Sequence, residues 1–222
     1  NLSDITNGIK SLLKEDGVFI FEVSSLYDLM KNKVFDYIYH EHLCYHSVLS
    51  LKLFFKQHGM ILFDVNKIST KGGSLRGYAK LETSSRAETP EVDKYIIAEI
   101  QLGLDKAKTF RKFESEINER KYQVKKIVDR IRKNNETIYA YGASATTTTL
   151  IYHFELTEHI SAIVDDNVDR QGLFSPGCHL PIVSPDQIYS EKPSYIFIAA
   201  WRFGDMIMKK HTKFLDQGGR FI

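Results

Sequence analysis

Thr137-Ile138-Tyr139-Ala140-Tyr141-Gly142-Ala143-Ser144-Ala145 decides how the chain is read. β-Branched and aromatic residues run into one glycine and a few small residues, and a helical pattern then continues to about residue 154. This predicts a strand, a tight turn and a capped helix. At Gly142 the backbone can approach a ligand closely, Ser144 suits an N-cap, and free amides at a helix start favour phosphate. A second strand is expected over residues 160–165 and a third over 195–200, with a short helix at Ile188 and a longer one over 203–214. Strands alternating with helices imply parallel pairing through right-handed crossovers. Asp165 closes the second strand, where a carboxylate can reach a ribose hydroxyl. The turn has one glycine and not the three of the dinucleotide fingerprint. Ser144 and the run Thr146-Thr147-Thr148-Thr149 also read simply as helix capping. Trp201, after the third strand, reads either as a stacking surface for a base or as core filling.

Working toward the N-terminus, helical period persists almost unbroken up to Asn134. Phe113, Ile117, Val124, Ile127, Val128 and Ile131 form an apolar stripe between charges, a long helix packing on its neighbours. Glu114 and Glu116 early, with Lys125, Lys126, Arg130 and Arg132 late, suit its dipole. The polar stretch 84–90 precedes it. Before that stretch, residues 4–14 read as a helix and 18–23 as a strand, half of an α/β unit. A short helix is expected over 24–32 and another over 50–58, stopped at Gly59. Strands over 60–65 and 75–81 flank Lys71-Gly72-Gly73 as an antiparallel connection. The expected domains are 1–85, a helical connector 86–135, and 136–222.

The chain has 222 residues, 30 Lys and Arg against 28 Asp and Glu, and a formal net charge of +2. That balance argues against a protein that wraps nucleic acid. Hydrophobic residues at 43% suffice for a real core. No apolar run spans a membrane, and no secretory signal is visible. Cys44 and Cys178 alone exclude a disulfide framework and a four-cysteine zinc site, so a reducing cytoplasmic setting is expected. Asn1 opens the chain without Met, and the last residues begin an apolar strand, so a piece of a longer protein is expected.

Three of the eight histidines lie close together in Tyr39-His40-Glu41-His42 and the following Tyr45-His46. An extended segment would put His40 and His42 on one side, whereas a helix would pair His42 with His46. Two imidazoles and Glu41 are metal-ligand types, but no third ligand stands at a convincing spacing, and no metal is expected. The same residues suit acid–base chemistry: an imidazole near pKa 6.5 as base, a carboxylate to orient it, a phenol to stabilise an oxyanion. They also read as buried polar loop residues. In Lys71-Gly72-Gly73-Ser74-Leu75-Arg76, Arg76 either pairs with phosphate or is a surface arginine on a hairpin.

Phe35-Asp36, Tyr39-His40-Glu41-His42, Ser47, Leu51, His58-Gly59 and Gly72-Gly73-Ser74-Leu75-Arg76 occur in that order. So do Tyr141-Gly142-Ala143, Asp165-Asp166-Asn167, Gln171-Gly172, Pro176-Gly177 and Pro181-Ile182. Together they resemble the sugar-nucleotide C-methyltransferases, over nearly the whole chain. The chain departs from the pattern at Thr146–Thr149, where members often carry Lys-Gly-Asn-Thr. The resemblance implies an α/β chain: the second half of a methyltransferase-type domain, a long helical connector and a Rossmann-like C-terminal domain with a parallel sheet. It implies S-adenosylmethionine as cofactor, with the glycine-rich motif and the family's zinc cysteines upstream of Asn1, and a nucleotide-linked keto-deoxysugar as substrate. His42 is then the base, Tyr39 or His40 the enolate stabiliser, and Glu41 the orienting carboxylate. His46 is a less favoured base. Arg76, Tyr141, Gly142, Ala143, Ser144, Asp165 and Trp201 would bind substrate. The alternative is a sugar-nucleotide binding module without catalysis; a dinucleotide oxidoreductase is disfavoured by the single glycine. No nucleic-acid or membrane partner is expected, and the oligomeric state is left open.

Overall fold

The computed structural model describes residues 1–69 and 72–222. Lys71 of the glycine hairpin therefore lies outside the described residues. The chain divides into two compact units. The first holds Asn1–Val34 and Cys44–Ser115, the second Phe35–Leu43 and Glu116–Ile222.

The first unit opens with helix α1 (Leu2–Leu12), whose first turn is capped by the Asn1 side chain. Strand β1 (Phe19–Ser24), helix α2 (Leu26–Asn32) and helix α3 (Val48–Gln57) follow. Strands β2 (Met60–Ile68) and β3 (Ser74–Leu81) form the expected antiparallel hairpin. The sheet order is β1-β3-β2, and β1 joins β3 antiparallel, Phe19 opposite Ala79, so both pairings of these three strands are antiparallel. Val48, Leu51 and Phe55 of α3 pack on Met60, Leu62, Val65 and Leu75 of the hairpin.

The expected helical connector holds two helices, α4 (Glu91–Leu102) and α5 (Ala107–Lys133). Gly103, with φ at +81°, ends α4 in the left-handed region. α4 is no free spacer, because Val92 is part of the first core and Glu99 is buried against α3. The Glu99 carboxylate accepts the Val48 amide at 2.6 Å and the Leu49 amide at 3.1 Å. It supplies acceptors for α3's first turn beyond the Ser47–Ser50 capping box. Burial raises the Glu99 pKa, and the two amides oppose that shift. On α5 the stripe residues Ile117, Val128 and Ile131 are buried.

The second unit carries a parallel sheet. Its strands are β4 (Ile138–Tyr141), β5 (Ala162–Val164), β6 (Ile182–Val183), β7 (Tyr195–Phe197) and β8 (Arg220–Phe221). Their order is β6-β5-β4-β7-β8, all pairs parallel. Helix α6 (Ala145–His153) follows β4, and α7 (Gln187–Ser190) precedes β7. The expected helix over 203–214 breaks at His211 into α8 (Gly204–Lys210) and α9 (Thr212–Asp216). Val164, Ile188, Ile196, Ile207 and Phe214 form the core. Among the described residues, no helix is long and apolar enough to cross a membrane. Cys44 and Cys178 are both free thiols.

Candidate functional site

From β4 the chain winds outward through β5 and β6, then returns to the other side of β4 for β7 and β8. The order reverses between β4 and β7, and a crevice for ligands opens beyond the carboxyl ends of such strands. Gly142 lies at one of these ends. Its φ is +100°, and a Cβ there would stand 2.6 Å from the Ala200 Cβ beyond β7. Glycine is thus required by the packing of the two strand ends.

The turn is held from inside. The Gly142 amide donates to Val164 O at 2.7 Å, and the Ala143 amide to Asp165 Oδ2 at 2.6 Å. The other Asp165 oxygen accepts the Asn167 amide at 2.8 Å, and Arg170 stands 3.4 Å from Oδ2. Asp165 is buried with these partners. Its carboxylate braces the turn. Ser144 caps α6 as expected, accepting the Thr147 amide at 3.3 Å. The threonine run ties the helix down: Thr147 Oγ1 donates to Gly142 O at 2.5 Å and Thr149 Oγ1 to Ile38 O at 3.0 Å.

The Tyr141 side chain turns inward, so its hydroxyl is committed to the protein. That hydroxyl donates to Asp166 Oδ1 at 2.9 Å and meets His211 Nε2 at 3.0 Å, and His211 Nδ1 meets the Tyr189 hydroxyl at 2.9 Å. With the Tyr141 O–H directed at Asp166, His211 donates from Nε2 to the phenol oxygen and, as a neutral imidazole, accepts at Nδ1 from Tyr189. Burial, helped by the Lys210 charge, lowers the His211 pKa. Burial first, then the bond to Asp166, raises that of Tyr141. Asp166 is paired with Lys210.

Residues 35–43 fold with this second unit, and they carry the Tyr-His-Glu-His string. The string is neither extended nor helical. The His42 amide donates to Tyr39 O at 2.9 Å, closing a turn. The turn sets His42 Nε2 3.0 Å from the Tyr39 hydroxyl, with the two rings edge to face at 4.8 Å. His40 and Glu41 occupy the outer corners, their side chains 84% and 69% exposed. The imidazole that Glu41 approaches is His40's, at 4.0 Å, and among the described residues the side-chain hydrogen-bond partner of His42 is a phenol and not a carboxylate. His46 belongs to the first unit, where its carbonyl accepts the Leu26 amide at 2.9 Å and burial lowers its pKa. Arg76, also in the first unit, pairs across β1 and β3 with Glu22 at 3.0 Å. Among the described residues, no group of three or more His, Cys, Asp or Glu side chains is placed to hold a metal ion.

The string is fastened to the turn after β7. Asp36, fully buried, accepts the Trp201 indole N–H at 3.0 Å and Arg202 Nη1 at 2.9 and 3.1 Å. Trp201 is thereby oriented by its nitrogen while part of its ring stays exposed. A family model described as the C-methyltransferase C-terminal domain matches residues 69–222, which include this turn and the whole parallel sheet. The chain belongs to the C-methyltransferase family. C-methyltransferase NovU from Streptomyces niveus is 32% identical over 223 residues, covering all of this chain. The match takes in 53% of NovU, so the chain spans about half the length of that curated relative. The motif resemblance is confirmed at the level of the C-methyltransferase family. In this C-methyltransferase chain, sequence reasoning missed three polar residues: Arg202, His211 and Glu99. Arg202 lies in the turn just after a buried strand, next to Trp201, a position that could have flagged it. His211 sits among Lys209, Lys210 and Lys213 and carried no such signal, whereas Glu99, the one charged residue between Tyr95 and Leu104, stands out in an apolar run and could have been flagged by that.

Proposed function

We propose that this chain is the C-terminal part of an S-adenosylmethionine-dependent C-methyltransferase acting on a nucleotide-linked keto-deoxysugar. The observation that carries the proposal is the Tyr39–His42 pair, held by residues that dock beside the strand-order reversal. A ketone acidifies the proton on its neighbouring carbon. With His42 protonated at Nε2 and donating to Tyr39, Nδ1 keeps the lone pair that takes this proton. The C–H electron pair moves into the carbonyl, whose oxygen becomes an enolate. Tyr39 turns its own O–H toward that oxygen. S-Adenosylmethionine, when bound, supplies the methyl group that the carbon acquires. The Gly142 and Ala143 amides are spent on Val164 and Asp165, so this turn does not fit as that cofactor's cradle.

The nucleotide is assigned to the outer side of the same turn, against Ser144 and the exposed part of Trp201. Tyr141, Ala143 and Asp165 act there by fixing the backbone. Arg76 contacts phosphate only by exchanging its exposed partner Glu22. The free thiols fit a reducing cytoplasm.

The test is exchange of the substrate's α-proton with deuterated solvent in the intact enzyme, with S-adenosylmethionine left out. This isolates enolisation from methyl transfer. His42→Asn should slow exchange by about 10²–10⁴ while sugar-nucleotide binding holds. Wild-type exchange in that variant would leave the chain a binding module or move the base elsewhere.

A further inference from the structure

Four consecutive residues ahead of the Tyr39–His42 pair are each fastened to the parallel-sheet unit. The Phe35 ring stacks on Phe154 at 5.1 Å and 5°. Asp36 takes Trp201 and Arg202, as described. The Tyr37 ring lies under the Arg202 guanidinium at 4.8 Å, and the Ile38 carbonyl accepts Thr149 Oγ1 at 3.0 Å. Tyr37 then meets the His42 ring edge to face at 5.2 Å. Arg202 also reaches α6, donating from Nη2 to Thr146 Oγ1 at 3.2 Å. One guanidinium therefore joins the buried carboxylate, the first turn of α6 and, through the Tyr37 ring, the imidazole.

The geometry assigns Arg202 and Asp36 the role of positioning residues, a clamp that sets where His42 stands relative to the turn at Gly142. This rests on the reading of His42 as the base. Neither residue touches substrate in this role; they act through Tyr37 and the backbone of 36–39. Arginine is required because its planar fork makes in-plane bonds to Asp36 and Thr146 while its face covers Tyr37. A lysine keeps the charge and loses both the fork and the face. Asp36 pairs with Arg202 while fully buried, so truncating one partner strands a charge, whereas neutralising both does not.

The experiment uses the intact enzyme with Arg202→Lys, Arg202→Met and the double variant Asp36→Asn/Arg202→Met. Three readouts are taken: α-proton exchange at varied sugar nucleotide, the NMR resonances of the His42 ring, and the melting temperature. Arg202→Lys should slow maximal exchange about 10- to 100-fold with the half-saturating concentration little changed, since small misplacements at a reacting centre cost this much. Its His42 ring resonances should move as the Tyr37 ring shifts. The double variant should recover melting temperature relative to Arg202→Met and still exchange slowly, and it decides the matter if the single methionine variant does not fold. Wild-type exchange in the double variant, or unmoved His42 resonances in Arg202→Lys, would overturn the clamp. If His42→Asn itself exchanges normally, the base assignment fails, and the His42 resonances still judge the clamp.

Discussion

Gly142→Ala attacks the junction of the two strand ends. Two separate costs follow. The native φ of +100° is one that L side chains rarely adopt, costing roughly 1–2 kcal/mol. The new Cβ would also stand 2.6 Å from the Ala200 Cβ, well inside the ~3.5–4.0 Å at which carbons rest. No rotamer relieves this overlap, because both atoms are Cβ. Nor can Ala200 simply withdraw: its amide donates to Tyr141 O at 2.9 Å. Overpacking of this kind typically costs about 1–3 kcal/mol, so the variant should lose roughly 2–5 kcal/mol. Ala200→Gly removes one of the colliding atoms; the next neighbours, Ala200 N and Cα, lie at 3.4 and 3.5 Å. The double variant should therefore recover the packing part and keep the backbone part. Urea unfolding of the four proteins of this cycle, with a common m-value, gives the coupling directly. A loss below about 0.5 kcal/mol for Gly142→Ala, or a coupling indistinguishable from zero, would refute the account.

Glu99→Ala should destabilise the chain by about 1–3 kcal/mol, because the Val48 and Leu49 amides lose their acceptors; thermal melts compared with the exposed control Glu88→Ala would show it. Because His211 has a lowered pKa in the folded state, the unfolded chain binds more protons just below the ordinary histidine value of about 6.5. Stability should thus be intact above that pH and fall as the pH drops toward the folded value; His211→Gln should flatten this slope in part, since His46 shifts the same way. Arg76→Ala should leave the melting temperature nearly unchanged, as expected for an exposed ion pair, and a clear loss of sugar-nucleotide affinity in titration calorimetry would mark a substrate contact. Tyr39→Phe should slow α-proton exchange no more than His42→Asn does, because it removes an oxyanion donor and leaves the proton acceptor; a greater loss would give the phenol the larger part.

What the residues alone settled is what depends on neighbours in the chain. The strand, glycine turn and Ser144-capped helix from Ile138 to His153 are legible because period and cap are local signals. The same holds for the hairpin of Met60–Ile68 and Ser74–Leu81 and for the stripe on Ala107–Lys133. The strand at Arg220–Phe221 was legible from the Gly218-Gly219 turn before it, but the two-residue strand at Ile182–Val183 was not, since two residues have no period and owe their state to β5 beside them. The Tyr-His-Glu-His string announced its chemistry by residue type, but not its geometry. A turn paired His42 with Tyr39 and sent Glu41 outward, which neither helical nor extended spacing anticipates. Only the tertiary structure could join Asp36 to Arg202 and Glu99 to the start of α3. A buried carboxylate is stable only with donors close by, and here the chain brings them from distant positions that no local pattern connects.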